Sequence, residues 1–76
     1  MEKLNELLNE LRPEIDFSES ENFIEDGYLD SFDLVALVGE LEQRYNITID
    51  GLDIIPENFT NMDTIVELIR KSGGQI

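Results

Sequence analysis

The sequence predicts an all-α fold: a four-helix bundle with three main helices, one short helix and a long first loop. Apolar residues recur at helical spacing in three separate stretches. The one segment that alternates, "ITIDGLDII", has no second strand to pair with and is read as a loop. With no cysteine, a disulfide framework is not available as another way to hold so short a chain.

In chain order, Leu4, Leu7, Leu8 and Leu11 mark an amphipathic first helix over residues 2–12, ended by the bias that Pro13 places on Arg12. Residues 13–30 ("PEIDFSESENFIEDGYLD") make an unusually long connection, but Ile15, Phe17, Phe23, Ile24, Tyr28 and Leu29 are too apolar for a free linker. They are expected to pin the loop across the core. The second helix runs from Ser31 to Tyr45, with Asp30 as N-cap, Asp33 in the first turn and Asn46 or a neighbour at its end. Pro56–Phe59 suits a short helical turn that opens on proline. The last helix starts between Asn61 and Thr64, buries Ile65, Leu68 and Ile69, and stops at Gly73 and Gly74. Leu37, Val38, Leu41, Ile49, Phe59, Ile65 and Leu68 are the expected core of a single domain, residues 1–76.

Composition excludes more than it selects. A net charge of −13, from 18 acids and 5 bases, opposes nucleic acid and anionic membrane and favours basic partner surfaces, an attraction that salt weakens. The absence of histidine removes the usual general base, and the absence of cysteine removes a thiolate metal site. No basic leader or membrane-length apolar run is present, so a cytoplasmic, non-enzymatic protein is expected. Two decoys are set aside. "NITIDGLDIIPE" has calcium-loop spacing but begins on Asn46 and carries Pro56, so no metal site is expected; Gly73-Gly74 reads as a helix stop.

On a helical wheel, Leu34, Leu37, Val38, Leu41 and Tyr45 form the core stripe of the second helix. The opposite face holds Phe32, Ala36, Gly39 and Gln43 with Val35 alongside, flanked by Asp33 and Glu40 on one side and Glu42 on the other. An uncharged strip between acids in so acidic a chain has the character of a docking surface, a partner face of Phe32, Ala36 and Gly39 with the flanking Asp33, Glu40 and Glu42. Gly39 costs about 1 kcal/mol against alanine inside a helix, which suggests close approach by a partner helix or by the domain's own loop.

Ser31 lacks a base strong enough to make it a self-sufficient nucleophile. It is better placed to be modified, because a phosphate at a helix N-terminus meets free N–H groups and the positive end of the dipole. Its context, "DGYLDSFDLVALVGELEQRYNITID" followed by "IIPENFTNMDTIVELI", resembles the acyl carrier protein family over nearly the whole chain. The resemblance implies that Ser31 carries 4'-phosphopantetheine, transferred from coenzyme A by a separate phosphopantetheinyl transferase. It further implies that cargo rides as a thioester on the arm's terminal thiol, and that Asp30 and Asp33 help present Ser31. The partners it implies are enzymes that activate or transfer acyl or aminoacyl groups through basic docking surfaces, meeting a free-standing monomer whose second helix stays exposed.

Two positions depart from the family pattern: Phe32 stands where leucine is usual and Ala36 where glutamate is frequent in fatty-acid carriers. Ala36 thereby exchanges charge for apolar surface, and Phe32 puts an aromatic ring in place of an aliphatic side chain. The cargo therefore stays open between fatty acyl or polyketide groups and the amino acids of D-alanyl or nonribosomal carriers, which "PENF" also resembles. A reading of another class is an unmodified acidic helical module for protein interaction.

Overall fold

The computed structural model describes residues 2–76. Three α-helices, α1 (Glu2–Leu11), α2 (Ser31–Tyr45) and α3 (Met62–Lys71), pack with short 3-10 turns, and no strand forms among the described residues. The fold is the expected helical bundle.

Helix α1 ends at Leu11, one residue before the expected limit, although the Arg12 amide still donates to the Leu8 carbonyl at 2.9 Å. It buries Leu4, Leu7 and Leu8. The long loop is not structureless. Asp16 accepts from the Ser18 amide and opens a 3-10 turn at Phe17–Glu19, which the hydropathy pattern does not announce. Phe17, Phe23 and Leu29 are buried, and Phe17 meets the rings of Phe23 and Tyr28 edge-on at 5.0 and 5.9 Å. The Phe23 amide donates to the Thr60 carbonyl at 2.7 Å, while the Phe23 carbonyl accepts from Tyr28 and Leu29. The Phe23 amide thereby joins the loop to the approach of α3, while its carbonyl and ring hold the loop itself together. Gly27 makes the intervening reversal at a φ of 75°, a conformation that a side chain would strain.

Asn46 closes α2 in the left-handed conformation (φ 54°) that asparagine tolerates. A 3-10 turn at Gly51–Asp53, capped by Asp50, adds local order to the segment read from sequence as loop. Pro56–Phe59 forms the expected short turn and buries Phe59. Asn61 and Thr64 form a capping box at the start of α3, each side chain accepting from the other's amide. At the far end the Gly73 amide donates to Arg70 and the Gly74 amide to Ile69 at 2.8 Å, which satisfies two terminal carbonyls.

All seven expected core residues are buried, in one cluster with Leu4, Leu7 and Leu8 of α1, Phe17, Phe23 and Leu29. Tyr45 is only partly buried, and its hydroxyl is enclosed without a hydrogen-bond partner. Enclosure pushes the Tyr45 phenol pKa up. Among the described residues, no helix is long and apolar enough to cross a membrane.

Candidate functional site

The site is built on the capped start of α2. Asp30 leaves the loop in extended conformation, so its side chain reaches the third residue of the helix. Its Oδ1 accepts from the Asp33 amide at 2.9 Å, and Asp33 Oδ2 accepts in return from the Asp30 amide at 3.2 Å. This reciprocal box uses one first-turn N–H group and leaves those of Ser31 and Phe32 at the open end of the helix. Ser31 is the first helical residue and is exposed.

The hydrogen bond from the Asp33 amide is the main cause holding the Asp30 carboxyl below its ordinary pKa. Its folded pKa lies below the unfolded value, so the cap stabilises the fold above the ordinary carboxylate range and loses that contribution as pH falls through the lowered pKa.

A third residue enters from just past the end of α1. Arg12 Nη1 donates to Asp33 Oδ2 at 2.7 Å, and its Nε donates to Glu14. The Asp33 side chain is only 14% exposed, because it is sandwiched between guanidinium and cap. The Glu14 hydrogen bond is the leading reason that Arg12's pKa is raised, and it holds the Glu14 carboxyl down. Sequence reasoning did not find Arg12, although it is the one base between Lys3 and Arg44 and borders a loop rich in acids.

The surface strip expected on α2 divides in two. Phe32 and Val35 are 84% and 71% exposed, and Ala36 and Gly39 are exposed beside them. Phe32 does not fold back onto the core. Space around Gly39 is open, with nothing beyond its own stretch of helix within 4 Å of where a β-carbon would stand, so the domain's own loop does not pack there. The charged members face inward duties. Asp33 completes the cap, Glu42 accepts from the Ile49 amide at 2.9 Å, and Glu40 pairs with Arg44 across one helical turn at 3.1 Å. Arg44 also bridges to Glu10 of α1.

With space free at Gly39, Gly39→Ala is expected to stabilise the domain by about 1 kcal/mol through helix propensity. Urea unfolding checks it, and an unchanged or lowered midpoint contradicts the open helix face.

Each of the five bases has an internal partner. Besides Arg12 and Arg44, Lys3 donates to the Arg44 carbonyl and lies 4.5 Å over the Tyr45 ring, Arg70 donates to the Ile76 carbonyl, and Lys71 pairs with Asp53. The field offered to a partner is therefore dominated by carboxylates.

The family model described as "phosphopantetheine attachment site" matches residues 1–70. The chain belongs to that family. It is a non-catalytic carrier domain that attaches 4'-phosphopantetheine covalently and works with a phosphopantetheinyl transferase and acyl-handling enzymes. No curated protein and no solved structure matches it. The start of α2 suits the group such a carrier holds: an exposed hydroxyl, free N–H groups at the helix end for a phosphodiester, and a carboxylate box that fixes the first turn. Once attached, the group supplies a flexible arm and the thiol that the chain itself lacks.

Proposed function

We propose that this carrier holds an acyl group as a thioester on 4'-phosphopantetheine attached to Ser31. The observation that carries the reading is the exposed Ser31 hydroxyl on a helix start fixed by the Asp30–Asp33 box. In the attachment step, the Ser31 oxygen forms a bond to the phosphorus that bears the pantetheine arm of coenzyme A. The pyrophosphate linkage breaks, adenosine 3',5'-bisphosphate leaves, and the serine proton passes to a base of the transferase. Asp30 presents the hydroxyl by holding the first turn.

The apolar surface of Phe32 and Val35 beside the attachment point supports an acyl cargo over a charged aminoacyl one, because it gives a hydrocarbon chain somewhere to rest. Partners are read as enzymes with an apolar recess for Phe32 and a basic rim. Ala36, Gly39 and Glu40 complete the contact, while Asp33 and Glu42 keep that face in shape from within. The domain is read as a cytoplasmic monomer, since a covered α2 could not meet successive enzymes.

The cargo is tested by offering the phosphopantetheinylated protein to acyl-activating and amino-acid-activating enzymes with matched substrates, and reading the thioester by mass spectrometry. Acyl loading, reversed by hydroxylamine, is expected. Loading by amino acids alone would assign the domain to the aminoacyl or peptidyl carriers.

A further inference from the structure

The carrier role accounts for Ser31 and its cap, but not for a base just past the end of α1 being spent on that cap. Arg12 lies 21 residues from Asp33 in sequence and reaches it from the end of α1. Its target is the same oxygen, Asp33 Oδ2, that accepts from the Asp30 amide, so one carboxylate atom joins α1, the cap residue and the first turn of α2. Pro13 follows immediately, and the Ile15 amide donates to the Arg12 carbonyl at 3.1 Å, so the backbone beneath the guanidinium is held as well.

The electrostatics argue for the same function. Asp30 and Asp33 lie on either side of Ser31–Phe32, and an anionic phosphodiester formed at Ser31 adds a third negative group there. Arg12 is the cation that the fold brings to this cluster. Without it, a carboxylate largely withdrawn from water would face Asp30 uncompensated, and rotation of the Asp33 side chain toward solvent would open the box.

We infer that Arg12 is a positioning residue for phosphopantetheine attachment, acting through Asp33 to hold the first turn of α2 in the geometry that presents Ser31. The inference rests on the reading of Ser31 as the attachment point. It opposes what net charge alone predicts: removing a base from an acidic carrier strengthens attraction to a basic transferase and lowers KM, whereas loss of positioning lowers kcat.

The test compares wild type, Arg12→Ala, Arg12→Lys and Lys71→Ala as substrates of one phosphopantetheinyl transferase, with folding checked by circular dichroism. Lys71→Ala removes the same charge from the end of α3, where Lys71 pairs with Asp53 of the Gly51–Asp53 turn. For Arg12→Ala, kcat is expected to fall about tenfold with KM unchanged or lower. Arg12→Lys, which keeps a donor for Asp33 but not the fork that also holds Glu14, is expected to recover part of the lost kcat, and Lys71→Ala to match wild type. Amide hydrogen exchange at Asp33 is expected to quicken in Arg12→Ala alone. A folded Arg12→Ala protein with kcat within about twofold of wild type, or an equal loss in Lys71→Ala, overturns the inference. Exchange at Asp33 reports on the clasp even if modification maps to another residue, so failure of the Ser31 reading and failure of the Arg12 inference are told apart.

Discussion

Phe23→Ala is expected to cost about 3–5 kcal/mol, the range for removing a buried phenylalanine from a packed core. A domain of this size has about 4–11 kcal/mol of stability in all, so the variant stands at or near the unfolding threshold at 25 °C. The cost is high because Phe23 is 1% exposed, contacts Phe17 edge-on and fixes the loop to Thr60. Its loss leaves a void and loosens the segment that delivers Asp30 to the start of α2. Urea unfolding followed by far-ultraviolet circular dichroism measures it. A loss below about 1 kcal/mol would mean that the helices stand without the loop, contrary to the single core described.

Phe32→Ala is expected to do the reverse, sparing stability and damaging recognition. The side chain is 84% exposed, so the unfolding free energy is expected to change by less than about 0.5 kcal/mol. A large aromatic ring at the centre of a contact is the kind of residue on which binding depends, and its truncation is expected to weaken a cognate acyl-handling enzyme by about 2 kcal/mol, roughly thirtyfold in Kd. Isothermal titration against such an enzyme reads the change. Unaltered affinity would remove Phe32 from the docking surface and leave it as a resting place for cargo alone.

Much of this molecule is legible in the sequence because its determinants are local. Asp30 before Ser31 and Asn61 before Met62 announce helix starts through side chains that bond amides three residues on. The leucine stripes announce which faces are buried, and Phe17, Phe23 and Leu29 announce that the loop is pinned. Other features were hidden by kind. The 3-10 turns at Phe17–Glu19 and Gly51–Asp53 arise from Asp16 and Asp50 bonding amides two residues ahead, a signal too short for hydropathy to register. The Arg12–Asp33 clasp depends on how α1 lies against α2, which no spacing rule conveys. A helical wheel places Asp33, Glu40 and Glu42 correctly around α2, yet it cannot show that each carboxylate has an internal partner.

The most direct test of the account is intact mass spectrometry of the purified chain and its Ser31→Ala variant after incubation with coenzyme A, magnesium and a broad-specificity phosphopantetheinyl transferase. One added phosphopantetheine is expected on the wild type and none on a Ser31→Ala protein with an unchanged circular dichroism spectrum. An addition that persists in Ser31→Ala, or no addition to the wild type while the same transferase modifies a control carrier, would contradict it.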